Sequence, residues 1–155
     1  MRSLLIAAGS FAAMEPITAL THRVVMHGIG RDLHRSHHRR VRPGERERRW
    51  EANDVFPAVF AVIAMVGLAV GFNVDGWGFL VPVAVGVTCY GAAYALVHDL
   101  YTHHRLPLFV RRRPALLERL AAKHQEHHRH GGAPYGMLVP VSARGSRPSH
   151  DPLDA

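Results

Sequence analysis

Two uncharged stretches constrain this chain more than anything else in it. Residues 55–74 and 76–97 are 20 and 22 residues long and contain no Asp, Glu, Lys or Arg. A helix of about 20 apolar residues is what crossing the hydrocarbon core of a bilayer requires. Each run therefore predicts a membrane-spanning helix, which argues against a soluble single-domain enzyme. Residues 3–21 form a third apolar segment, interrupted by Glu15 and the Pro16 that follows it. Read as a signal peptide, this segment would have residues 4–13 as its core, but no small-x-small cleavage site precedes the first histidine. The expected fold is an all-α integral membrane protein with about three spans, near 3–21, 55–74 and 77–97. Helical extensions of those spans are expected on the cytoplasmic side.

Charge supports that layout. Lys and Arg number 19 against 12 Asp and Glu, a net +7 that on its own would suggest nucleic acid. The basic residues are instead segregated beside the spans. Nine arginines lie between His22 and Asp54, and seven basic residues lie between His98 and Arg129; the link at 73–78 has none and carries Asp75. Short Lys/Arg-rich loops stay on the cytoplasmic side. The pattern predicts both basic stretches inside, 73–78 outside with Asp75-Gly76 as the turn, an N-terminus outside, and no nucleic-acid partner. The membrane implied is a bacterial-type cytoplasmic membrane. Glu15 would be a costly intramembrane carboxylate unless it is paired or faces a polar interior.

The rest of the chain reads simply. Residues 41–49 form a charge-dense loop, and 111–114 a basic joint before a helix at 115–129. From Gly131 the composition turns to Gly, Pro and Ser, so 1–142 reads as one domain and 143–155 as a disordered tail. The single cysteine, Cys89, excludes an intramolecular disulfide and a Cys-rich metal site. Its place in an apolar span suits a small packing residue.

Thirteen histidines are far too many for an ordinary domain, and ten fall into four boxes. His22 and His27 form H-x4-H; His34, His37 and His38 form H-x2-H-H. The same two boxes recur at His98/His103 and His124/His127/His128. In an α-helix, residues three and four apart share a face, so each H-x2-H-H box can aim at a common site. Residues five apart stand about 140° from each other in an α-helix. The H-x4-H pairs must therefore straddle a two-ion site or be brought together by a π-bulge. Ten imidazoles exceed what one metal takes and suffice for two first-row metals with five nitrogens each and open positions left over. Beside apolar spans, such a site fits two irons activating dioxygen against a lipid-dissolved substrate. His104, His130 and His150 fall outside the pattern. There is no G-x-S-x-G elbow, H-E-x-x-H or P-loop.

The boxes and their surroundings resemble the bacterial β-carotene 3-hydroxylases of the fatty acid hydroxylase superfamily. The likeness covers Met14-Glu15, H-R-V-V-M-H-G at 22–28, H-R-S-H-H at 34–38, E-A-N-D at 51–54, H-D-L-Y-T-H-H-R-L-P at 98–107 and H-Q-E-H-H at 124–128. It implies a non-haem di-iron monooxygenase that hydroxylates carbon 3 of β-ionone rings, taking β-carotene to β-cryptoxanthin and zeaxanthin. Dioxygen would be the co-substrate, and two electrons per hydroxylation would come from an external donor, which the resemblance implies is of the ferredoxin type. The ten boxed histidines would be the iron ligands. The segment after His128 is shorter than the family's, and the loop after His38 is unusually rich in arginine.

Ligating imidazoles need acceptors behind them. Asp99, Asp54, Asn53 and Glu15 are the candidates, Asp99 first because it lies inside a box; Asp54 also suits a helix cap. Rival readings are the same chemistry on another lipid (a fatty acyl or sterol hydroxylase or desaturase, or a carotenoid ketolase), a divalent-metal transporter, and a zinc-binding scaffold. Transport sites lie near the bilayer midplane, whereas these histidines sit beyond the span ends.

Overall fold

The computed structural model describes residues 1–39, 50–106 and 113–140, and every regular element among them is helical. Helix α1 covers Arg2–Thr21 and runs on through a π-helical stretch, His22–Ile29. Helix α2 is Arg31–His38. A 3-10 turn, Ala52–Asp54, leads into α3, Val55–Asn73. Helix α4 is Leu80–Ala95 and likewise continues as π-helix through Leu96–Thr102; α5 is Ala115–His130.

Three segments are long and apolar enough to cross a membrane: Arg2–Ile29, Ala52–Asn73 and Leu80–Thr102. The third begins a little later than the expected residue 77. Trp77 and Phe79 stack in the connecting turn, ring centroids 5.9 Å apart, and Gly76 takes the left-handed φ of 82° that turns the chain there. The loop residues 41–49, the first half of the joint (111–112) and the tail 143–155 lie outside the described residues.

Helix α4 packs between α1 and α3. Gly86 makes its contact with α1 possible: a Cβ there would sit 2.2 Å from the Ala7 carbonyl oxygen. Close approach at small residues is how helices associate in lipid, where burial of apolar surface gives no advantage. The outer faces remain apolar, with Leu4, Leu5, Ile63, Val66 and Phe72 all exposed. That is the inverse of a soluble bundle and suits helices whose surroundings are hydrocarbon. Cys89 is exposed on α4, so the packing role expected for it is corrected.

The polar interior lies at the end of the bundle opposite the 74–79 turn. There the π-helical ends of α1 and α4 meet α2, the start of α3, and α5. Helix α5 is made of strong helix formers and docks on the second π stretch through buried Val97, Leu120 and Met137.

Candidate metal centre

The π-helical stretches carry the H-x4-H boxes. In π-helix the backbone bond runs from residue i+5 to residue i; the His103 N–H donates to the His98 carbonyl at 3.0 Å. Residues five apart thereby come to one side. The rings of His98 and His103 lie 4.7 Å apart and those of His22 and His27 5.1 Å apart. Of the two arrangements that the spacing left open, the bulge is the one present.

All ten boxed histidines converge, but not as two self-contained halves. His22, His27, His34, His38 and His127 form one group, and His37, His98, His103 and His124 form another; within each, one nitrogen per ring lies within 4.8 Å of all the others. His128 joins the second group, with its Nε2 2.8 Å from that of His124 and 3.1 Å from that of His37. Each group of five therefore takes four histidines from its own half and one from the other. The middle histidine of each H-x2-H-H box is the one exchanged. The expectation that each such box serves one site is corrected accordingly. On an α-helix, i and i+4 differ by about 40°, while i+3 lies about 60° to the other side of i. His34 and His38 therefore stay together while His37 swings to the neighbouring group.

The acceptors behind these rings fix which nitrogen faces inward. Asn53 Oδ1 accepts from His34 Nδ1 at 2.7 Å, Glu51 Oε2 from His37 Nδ1 at 3.1 Å, and Asp99 Oδ1 from His98 Nδ1 at 2.9 Å. Backbone carbonyls do the same for two others: Tyr135 O accepts from His22 Nδ1 at 3.1 Å, and Gly132 O accepts from His127 Nδ1. Burial, with the neighbouring imidazoles adding to it, pushes His37 and His124 well below the ordinary histidine pKa and His38 and His128 down as well. His34 is pushed down to about 3, mainly by burial and against the pull of its Asn53 hydrogen bond. A neutral ring with its proton on Nδ1 has only a lone pair on Nε2. Yet His22 and His34 point Nε2 atoms at each other across 3.0 Å, and so do His37 and His98. Two lone pairs at that separation repel unless a cation lies between their donors. Imidazole nitrogen, neutral and inward, is the donor set that first-row metals take, so the residues fit metal in both groups.

Of the four expected acceptors, Asp99 and Asn53 stand behind the rings of His98 and His34. Asp54 does not touch a histidine. Its Oδ2 accepts from the Glu51 backbone N–H at 2.9 Å in a capping box, and its Oδ1 accepts from Arg105 at 2.7 Å. Glu15 is also corrected. Its carboxylate accepts from the Tyr90 hydroxyl at 2.7 Å and from the backbone N–H groups of Leu138 and Val139 at 3.1 and 2.8 Å. It thus secures the chain after α5 within the bundle, and the cost of an intramembrane carboxylate is met by donors. Glu51 and Arg105 were not anticipated. Arg105 reaches Glu51 at 3.3 Å, Asp54 at 2.7 Å and Asp99 at 3.5 Å. His104 and His130 are exposed and belong to neither group, and His150 lies outside the described residues.

A cavity of about 460 Å³ opens among α1, α3 and α4 and ends on the two histidine groups. Met14, Phe60, Ala64 and Leu68 are among its apolar walls, and it reaches both His22 of one group and His98 of the other. The ring of Tyr94 lines it and lies 4.9 Å from that of His98; Tyr135 closes the other side, 5.5 Å from His22.

Fold and site together define a helical protein, long and apolar enough to span a membrane three times, with two groups of histidines able to hold metal ions. More particularly, the chain belongs to the fatty acid hydroxylase family, whose model matches residues 8–144. It is 40% identical over 133 residues to the beta-carotene hydroxylase of Pseudescherichia vulneris, an alignment covering 83% of this chain and 72% of that one. It is 35% identical to that of Pantoea ananas, over 81% of this chain and 70% of the relative. The chloroplastic beta-carotene hydroxylase 1 of Capsicum annuum is 36% identical over 86% of this chain, which spans only 42% of that longer protein. No solved structure matches the chain.

Proposed function

We propose that this protein is a di-iron monooxygenase that hydroxylates carbon 3 of the β-ionone rings of a carotenoid. The observation that carries the reading is the apolar cavity, which touches both histidine groups and opens among helices with hydrocarbon-facing exteriors. Its size is in the range that encloses a small-molecule group, which suits one end of a long lipid entering ring first. The names of the bacterial and plant relatives point to the same substrate. The ten boxed histidines are proposed as the iron ligands. Two bound irons would supply the activation of dioxygen.

The chain's own contribution is placement. Phe60, Ala64 and Leu68 keep water from the ring and hold it toward the His22 and His98 end. Tyr94 and Tyr135 flank that end and limit how the ring can lie. Overall, one oxygen atom enters a C–H bond and the other leaves as water, with two protons and two electrons consumed. A ferredoxin-type donor is proposed for the electrons. It would dock on the cytoplasmic side, where the positive-inside pattern puts the metal centre, with the N-terminus outside. Residues 1–142 are proposed to act as one domain.

Expression in cells that accumulate β-carotene, followed by pigment chromatography and mass spectrometry, tests the reading. Mono- and dihydroxylated products, absent from a His37→Ala control, are expected. A ketone, an alkene, or unchanged β-carotene with a hydroxylated acyl lipid would overturn the assignment.

A further inference from the structure

The acceptors behind the two histidine groups differ in charge. Behind the group of His37, His98, His103, His124 and His128 stand two carboxylates: Glu51 on His37 and Asp99 on His98. Arg105 binds both of them and Asp54 as well, with its side chain 12% exposed and that of Glu51 8% exposed. One guanidinium against three carboxylates leaves this cluster with two net negative charges. The acceptors on the other group are neutral at each of three rings: the Asn53 amide on His34, the Tyr135 carbonyl on His22 and the Gly132 carbonyl on His127.

We infer that the two metal positions are unequal, and that the His37/His98 position holds its ion more tightly than the His22/His34 position. The inference rests on the reading of the ten histidines as metal ligands. A carboxylate accepting the Nδ1 proton shifts electron density toward Nε2 and makes the ring a stronger donor, which an amide or carbonyl does less. Net negative charge in a partly dehydrated setting also favours a cation nearby over one farther away. Arg105 acts here as a positioning residue. It holds Glu51, from the turn before α3, in register with the His37 ring on α2, and Asp99 in register with the adjacent His98 ring on the π-helical end of α4. Geometry of that kind needs restraint, since a carboxylate free to rotate would lose its imidazole.

The test is release of ferrous iron from the loaded, full-length protein in detergent to excess chelator under anaerobic conditions. Two phases of one ion per chain each are expected. Glu51→Gln and Asp99→Asn should both accelerate the slow phase, by about 10–100-fold, and leave the fast phase unmoved. Asn53→Asp should slow the fast phase. Glu51→Gln and Asp99→Asn are near-isosteric, and unchanged helix content by circular dichroism guards against misfolding. Two ions leaving the parent protein in a single phase overturns the inference while leaving the di-iron reading intact. So does an effect of Glu51→Gln and Asp99→Asn on different phases. A chain that binds fewer than two ions overturns both.

Discussion

His37 and His127 hold equivalent places in their boxes, and each crosses to the group built mainly by the other half of the chain. His37 Nε2 lies 3.0 Å from that of His98, and His127 Nε2 lies 3.2 Å from that of His27. The exchange stitches the two halves: the two contacts join residues 61 and 100 positions apart in sequence, and neither group reaches five imidazoles without its exchanged histidine. Pairs of variants should therefore sort by group and not by box. His124→Ala and His127→Ala, three residues apart on α5, should each deplete a different ion. His34→Ala and His127→Ala, from different halves, should deplete the same one. Affinity losses should exceed the roughly 10–100-fold typical of losing an outer hydrogen-bond partner. Iron content and Mössbauer spectra of isotopically loaded protein distinguish the cases, and depletion of one common ion by His124→Ala and His127→Ala would refute the exchange.

Much of this was legible in the sequence, for identifiable reasons. Uncharged runs of span length give the helices, and spacing gives ten histidines at one end of them. The spacing of five left two geometries open because it cannot distinguish α- from π-helix. The exchange of His37 was hidden because three residues on one helix face look alike until a second helix divides them. Glu15 was misassigned because its partners Leu138 and Val139 lie 123 and 124 residues away. Glu51 went unnoticed within E-A-N-D because Glu is not among the Ser, Thr, Asp and Asn residues that mark an N-cap in sequence, and its capping box with Asp54 shows only in the fold. Arg105 was absorbed into the count of topology-setting cations, and only the fold shows the three carboxylates around it.

The tether at Glu15 should matter for stability more than for metal. Tyr90 is 2% exposed and donates to Glu15. Tyr90→Phe removes that hydrogen bond to a carboxylate, a loss of about 1.5–3 kcal/mol, together with the 2.7 Å contact to the Thr18 hydroxyl. The expected outcome is a lower unfolding temperature in detergent with two irons still bound. Loss of iron without a change in unfolding temperature would mean that Tyr90 serves the metal centre instead.

Filling the cavity should block the substrate and spare the metal. Ala64 is 7% exposed, lines the cavity and belongs to neither histidine group. Ala64→Phe puts a ring where the substrate's ring would lie, with an overpacking cost of about 1–3 kcal/mol. Hydroxylation should fall at least tenfold while iron content stays at that of the parent. Full activity on β-carotene would show that the ring enters by another route.

Removing the metal should destabilise the fold. Without a cation the facing Nε2 lone pairs of His22 and His34, 3.0 Å apart, repel. An ion that binds only the folded state adds about 2.7 kcal/mol of stability at a hundredfold excess over its Kd. Chelator-treated protein should unfold at a lower temperature and regain its stability on adding ferrous iron. An unfolding temperature indifferent to chelation and reloading would count against metal in these groups.

Membrane sidedness is the condition on which a single metal centre depends. Sixteen of the 19 basic residues lie in the two stretches that bear the histidine boxes, and the 73–78 link between the second and third spans carries only Asp75. Three spans, an outside N-terminus and both basic stretches inside are mutually consistent under the positive-inside bias. A fourth crossing would have to split a span, leaving halves too short for the bilayer. Cysteine labelling in a Cys89→Ala background decides the matter, because with the single native cysteine removed each introduced cysteine is the sole reporter. Asp75→Cys should react with a membrane-impermeant reagent in intact cells. Arg39→Cys, directly after α2, and Arg113→Cys, just before α5, should react only once the membrane is opened. Reaction of Arg39→Cys and Arg113→Cys from opposite faces would separate α2 from α5, and His37 could not then reach His124 and His128 to complete a shared site.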